Sequence, residues 1–465
     1  MRNTLAIILK TTTDYRFCGK MVLKSFIRRG SAWLLTAALL ISIFAFISAA
    51  AVGTSAKSLE DIPIDSAKAV YLYNVENDRI LVSKNADVKI QPVSTVKIMA
   101  GLVCTEMLYD KLDDIVVVTQ AMIDGVSGQH FNIMPGHNLS IKDLLYLAFC
   151  GGCHKSINIL AYVISGNLPN FIALMNTKAS ALGMNDTFYA NATGMHNDSM
   201  YTTVNDIAKL CLAASENPLL MQITTASEHK TEKLGEKNFT FENRNYLVGT
   251  GYTAQYFNSL CHGFAAGSTL ESGYCAATVA DNGNLSYICI VMGATTAEDG
   301  TIMSYALVND LVKWAYDAWG YVEIISAGAT VCEMPVTMSL DIDTVLVAPG
   351  KSVSIYLPKT TVLGTDITYS YTLNAEELQA PVAEGAHVGL ITAYYNGEEL
   401  ATVELVTQTS IAQSEVLYTL TKIKDISKSR VFIASVVSAI VLTIIYVTVK
   451  AIIRGTAANK RYKYR

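Results

Sequence analysis

The sequence predicts a mixed α/β (α+β) domain, then a small β-sandwich, then a C-terminal transmembrane helix. Three observations carry this. Between residues 57 and 320, stretches with apolar residues at helical spacing are interleaved with short alternating ones, as expected of helices packed on an antiparallel sheet. After about residue 330 only short alternating stretches remain, with turn residues between them, which is the pattern of a sandwich. Near the end, residues 431–449 run without a charge and are followed by bases.

The elements follow in order. Lys24, Arg28 and Arg29 precede an uncharged stretch over 30–56 with Ala49 and Ala51 at its far end. This is the layout of a secretory signal peptide, or of a second anchor if it is not cleaved, and Met21 offers an alternative start. Residues 57–325 form the first domain. Within it 70–74 and 79–83 read as a hairpin, 96–108 as a buried helix, and 141–164 and 168–182 as helices, the last ending at Gly183. Residues 274–280 and 285–292 read as strands and 304–319 as a closing helix. The sandwich spans 330–408, where Asn396-Gly397 sits between two alternating runs as a strong hairpin turn. Residues 409–430 read as a polar stalk, 431–453 as the membrane helix and 454–465 as a basic tail.

Charge is distributed unevenly. The first 30 residues and the last 16 hold 13 of the 35 bases and one of the 40 acids, leaving a net of −17 between them. An acidic middle argues against a nucleic-acid partner. It fits a body outside the cell membrane with basic ends inside, a single-pass protein with a cytoplasmic C-terminal tail. A mean hydropathy of +0.31 agrees with a membrane-attached chain.

Ser94-Thr95-Val96-Lys97 is an S-x-x-K at the start of the buried helix. A spacing of three puts both side chains on one helix face. A lysine buried there can lose its proton and act as base toward the serine hydroxyl. The helix start also offers a backbone N–H to a developing oxyanion. Ser227-Glu228-His229-Lys230 matches the same pattern but lies in a polar stretch with no apolar helix behind it.

The first motif with its flanks, Tyr73-Asn74, Asn85-Ala86 and 92–99, resembles the opening of the serine-type D-alanyl-D-alanine carboxypeptidases, the low-molecular-mass penicillin-binding proteins. Leu144-Leu145-Tyr146, Met175-Asn176, 181–184, Asn191-Ala192-Thr193-Gly194, Asn243-Arg244-Asn245 and Gly273-Tyr274-Cys275 match the spacing of that family. The resemblance covers roughly 60–410. It implies a penicillin-recognising, transpeptidase-like fold followed by a β-sandwich, an acyl-enzyme at Ser94, Lys97 as general base, and peptidoglycan stem peptides and β-lactams as partners. No cofactor or metal is implied.

The departures are specific. The slots of the family's S-x-N motif hold Gly152-Cys153-His154, and those of K-T-G hold Ala265-Ala266-Gly267, with Thr269 keeping a later threonine. Losing a charge-assisted contact to a substrate carboxylate costs on the order of 2–3 kcal/mol, and a drop of ~10²–10⁴ in rate is expected. His154 is a candidate replacement proton relay, and Arg244 a candidate replacement cation. Gly267 and Thr269 complete the substrate-binding set. His262, three residues from Ala265, should point to the opposite strand face.

Cys150 to His154 also reads as C-x-x-C-H. A haem is disfavoured because the motif lies inside a helical region, and zinc because no second ligand pair has the spacing. A local disulfide or plain packing remains. Two functions stand: a carboxypeptidase with weakened or altered activity, or an inactive relative that binds wall peptides or a morphogenetic partner.

Overall fold

The computed structural model describes residues 57–232, 238–249, 251 and 254–462. The expected leader over 1–56 lies outside them. The chain divides after Asp317 into two compact units.

The first unit is built on a five-stranded antiparallel sheet in the order β2-β1-β9-β8-β7. Its strands are β1 (Ala69–Asn74), β2 (Arg79–Lys84), β7 (Cys261–Thr269), β8 (Gly273–Asp281) and β9 (Ser286–Ala294). Two short pairs, β3 (Ile115–Val117) with β4 (Asn138–Ser140) and β5 (Glu228–Lys230) with β6 (Thr240–Glu242), lie outside it. The helices are α1 (Val96–Leu108), α2 (Gln120–Ile123), α3 (Ile141–Phe149), α4 (His154–Ser165), α5 (Leu168–Ala181), α6 (Val204–Ser215), α7 (Pro218–Thr225) and α8 (Met303–Ala318).

Helix α1 has the bounds read from the sequence. Val96, Met99, Leu102 and Cys104 are almost wholly buried, so it runs through the core rather than along its surface. Local chemistry sets the other helix starts: the side chains of Ser140, Asn167, Thr203 and Asn217 each accept a backbone N–H three residues on.

Residues 141–164, read as one helix, are two. The run breaks at Cys150-Gly151-Gly152-Cys153, where Gly152 has φ +70°, which only glycine adopts without strain. The break carries the slots of the second motif to the end of a helix. The second S-x-x-K is also resolved: residues 228–230 form β5, so Ser227 and Lys230 share no helix face. His229 instead bonds Asp143 Oδ1 at 2.8 Å and stacks on Tyr146 with ring centroids 3.9 Å apart.

In the second unit a six-stranded sheet has the order β14-β16-β17-β12-β11-β15, and β10 pairs with β13. The strands are β10 (Trp319–Ile325), β11 (Cys332–Thr337), β12 (Thr344–Pro349), β13 (Val353–Pro358), β14 (Ile367–Leu373), β15 (Leu378–Gln379), β16 (His387–Tyr395) and β17 (Glu398–Thr407). Ile324, Met334, Val347, Leu357 and Val403 belong to its core. Because β10 pairs with β13, residues 319–325 belong with the sandwich rather than with the first domain. Asn396 and Gly397 both take positive φ at the β16–β17 turn, as a type I′ hairpin requires.

The stretch read as a polar stalk contains helix α9 (Glu415–Lys428), and α10 (Arg430–Tyr462) follows it. Residues 430–454 of α10 are long and apolar enough to cross a membrane, with mean hydropathy 2.5.

Candidate active site

Ser94 lies in a short 3-10 turn, Val93–Thr95, that feeds directly into α1. Thr95 fixes the turn, its N–H and hydroxyl both donating to the Pro92 carbonyl at 3.0 and 2.5 Å. Val93 is held at φ +48°, a conformation rare for a β-branched residue, immediately before the serine. What holds it is the 191–194 loop. Asn191 Oδ1 accepts the backbone N–H groups of Thr193 and Gly194 at 3.1 and 2.8 Å, folding the loop back on itself. Gly194, at φ +82°, then lies so close that a Cβ would overlap the Val93 carbonyl.

The edge strand β7 closes the site from the other side. A Cβ on Gly267 would overlap Ser94 Oγ, so this strand reaches the serine only because residue 267 is glycine. Ser94, Lys97, Gly152, His154, Arg244, Gly267 and Thr269 all line one cleft of about 430 Å³. The structure therefore brings together every site residue named from the sequence.

The charges in the cleft have physical causes. Burial pushes the Lys97 amine down from its usual range to about 8, the Arg244 guanidinium pushes it the same way, and Cys153 opposes them. A Cβ on Gly152 would sit 3.6 Å from Lys97 Nζ and 3.5 Å from Arg244 Cγ. A serine at 152 would thus present its hydroxyl beside the lysine, and glycine leaves that space open.

His154 does not suit the role of a relay near neutral pH. Burial and the neighbouring Lys97 push its imidazole down to about 4. Its Nδ1 lies 2.9 Å from the Ser127 carbonyl oxygen. A neutral ring with the proton on Nδ1 donates that bond and leaves Nε2 as an acceptor. Gly128 packs against the ring so closely that a Cβ would overlap Nδ1. Burial, Lys97 and the close packing of Gly128 thus favour the neutral ring.

Thr269 has a second task, its hydroxyl accepting the Ser272 N–H at 3.1 Å in the β7–β8 turn. A bulge in β7 between His262 and Ala265 breaks the alternation used to set His262 aside, yet the cleft lining does not include it. Cys150 and Cys153 are buried free thiols, so this C-x-x-C is packing and not a disulfide. Among the described residues no cluster of His, Cys, Asp or Glu could hold a metal.

Sequence reasoning missed Gln129, Met195, Tyr246, Ile302 and Tyr305, which also line the cleft. They arrive from loops and from α8, far apart in the chain, and no local pattern marks them.

A profile of the family described as D-alanyl-D-alanine carboxypeptidase matches residues 55–296. The chain belongs to this family. A second profile, described as the C-terminal domain of penicillin-binding protein 5, matches residues 319–413, the stretch that opens with β10. Among D-alanyl-D-alanine carboxypeptidases, DacC of Escherichia coli K12 is 26% identical over 385 residues, covering 80% of this chain and 90% of the relative. DacF of Bacillus subtilis 168 is 25% identical over 339 residues, covering 72% and 83%. Two solved structures share the fold. Penicillin-binding protein 5 from Haemophilus influenzae aligns with a TM-score of 0.52 at 21% identity, covering 75% of this chain and 98% of that one. The carboxypeptidase DacD from Francisella tularensis aligns with a TM-score of 0.53 at 19% identity, covering 78% and 96%.

Proposed function

We propose that this member of the D-alanyl-D-alanine carboxypeptidase family acts on peptidoglycan stem peptides through an acyl-enzyme at Ser94, with activity weakened by its altered second and third motifs. The observation that supports this most is the apposition of Ser94 Oγ and Gly267 in a cleft that also holds Lys97, with its amine depressed to about 8. At pH 7 about a tenth of such an amine is neutral and able to take a proton.

In this reading Lys97 takes the Ser94 hydroxyl proton as Oγ attacks the carbonyl of the penultimate D-alanine. The C–N bond then breaks, and the departing D-alanine amine takes that proton. Water, deprotonated in turn, hydrolyses the Ser94 ester and restores the hydroxyl. Backbone N–H groups at Ser94 and Ser268 stabilise the oxyanion, and neither depends on the missing side chains. Arg244 supplies positive charge to the cleft where the lysine of the third motif is absent. His154 contributes a neutral hydrogen-bond acceptor. The reaction takes place outside the cytoplasmic membrane, with α10 as the anchor and the C-terminal tail in the cytoplasm.

Labelling with a fluorescent penicillin tests the reading. Wild type should label slowly and Ser94→Ala not at all. A wild-type chain that takes no label at millimolar penicillin, while an active relative in the same assay does, would instead make this a binding protein.

A further inference from the structure

The second S-x-x-K, 227–230, runs into the hairpin β5–β6, and its histidine reaches α3. His229 Nε2 donates to Asp143 Oδ1 at 2.8 Å, and the Glu232 N–H donates to Asp143 Oδ2 at 3.1 Å. Both donors come from the hairpin segment. The Asp143 side chain is 4% exposed. A carboxylate so deeply buried is costly unless its oxygens are met, so these two bonds tie the hairpin to the start of α3.

Three further contacts run along α3 toward the reaction cleft. The His229 ring stacks on Tyr146, one turn on from Asp143. Phe241, opposite His229 in the hairpin, meets its ring edge-on with centroids 5.7 Å apart. The same phenylalanine packs on Gly151, where a Cβ would lie 2.9 Å from it. The Arg244 N–H then donates to the Cys150 carbonyl at 3.0 Å, just past the end of α3. The segment leaving the hairpin thus delivers Arg244 to the cleft, beside Gly152 and Lys97.

We infer that Asp143 and His229 are positioning residues for the reaction at Ser94: their bond fixes the hairpin on α3 and, through it, the Arg244 guanidinium in the cleft. Neither residue lines the cleft itself. The inference rests on the reading of Ser94 above. Lys97 provides the readout, because Arg244 pushes its amine down. Cys153 and His154 also neighbour that amine, and Tyr246, Tyr274 and Tyr305 stand in the same cleft lining. Cys153 and His154 are held at the start of α4, so a loosened hairpin acts on Lys97 through Arg244.

The test follows penicillin acylation of the full chain against pH. His229→Phe keeps a ring on Tyr146 and removes the donor, whereas His229→Gln keeps a donor where Nε2 stands. His229→Phe should slow acylation about tenfold and raise its midpoint above about 8, and His229→Gln should stay near wild type in both. In an Arg244→Gln background, His229→Phe should change nothing further, since both act through one guanidinium. If His229→Phe alone does not fold, the double replacement Asp143→Leu with His229→Phe leaves no unpaired carboxylate and carries the same test. A variant that melts lower yet acylates at the wild-type rate and midpoint would overturn the inference. So would an effect of His229→Phe that persists in full in the Arg244→Gln background. A wild type that takes no label removes the catalytic reading and this one together, whereas a labelled wild type indifferent to His229→Phe removes the positioning alone.

Discussion

Lys97 is protonated below about pH 8 and neutral above it, and only the neutral amine accepts the Ser94 proton. Acylation by penicillin should therefore rise with pH through a midpoint near 8 and level off above it. His154, held neutral above about 4, should add no inflection near 6.5. A stopped-flow pH profile checks both, and a bell centred below 7 would contradict the assignment. Gly267 gives a second prediction at this scale. A methyl group there overlaps Ser94 Oγ, so Gly267→Ala should slow labelling by ~10²-fold through displacement of the nucleophile. The melting temperature should stay close to wild type, because β7 is an edge strand whose pairing with β8 is untouched.

At the scale of elements, α1 and the β16–β17 hairpin were legible because each is a local decision. An apolar run without a polar face must be buried, and Asn-Gly selects one turn. The boundary at 150–153 was not read, because the apolar spacing continues through Gly151-Gly152 and only the backbone at Gly152 shows the break. Ser94, Lys97, Gly267 and Arg244 could be named in advance from motif spacing. The tyrosines at 246 and 305 could not, since tertiary packing alone brings them to the cleft. The break also predicts how far the lost motifs can be rebuilt. Gly152→Ser has space beside Lys97, but a serine at φ +70° costs roughly 1 kcal/mol in backbone strain, which offsets part of the gain. Ala265 carries no such constraint. Strand alternation puts it on the same face as Gly267, but it is buried in the first unit's core and outside the cleft lining, so a lysine there must carry its ammonium past that packing to reach the cleft. Ala265→Lys should accelerate penicillin labelling at least tenfold, and Gly152→Ser by less than threefold. The reverse order would show that the proton relay, not the carboxylate contact, limits this chain.

At the scale of the whole molecule, two consecutive helices near the C-terminus are the candidates for a membrane attachment. Residues 430–454 span about 37 Å as a helix, more than the ~30 Å of a hydrocarbon core. Before them, α9 exposes Val416, Leu420 and Ile423 at i, i+4 and i+7, one apolar stripe, while Lys422, Lys424 and Lys428 lie beside it. A stripe of that width binds a lipid surface reversibly, whereas a spanning helix does not let go. Truncation separates the two contributions. A chain ending at residue 428 keeps α9 and should partition partly with membranes, coming off in alkaline carbonate. A chain ending at 413 should be released without treatment and still label with penicillin, because the cleft lies wholly in the first unit. The full chain should resist carbonate. If the chain ending at 413 also resists carbonate, the uncharged stretch over 30–56 is retained as an anchor, and the protein crosses the membrane twice.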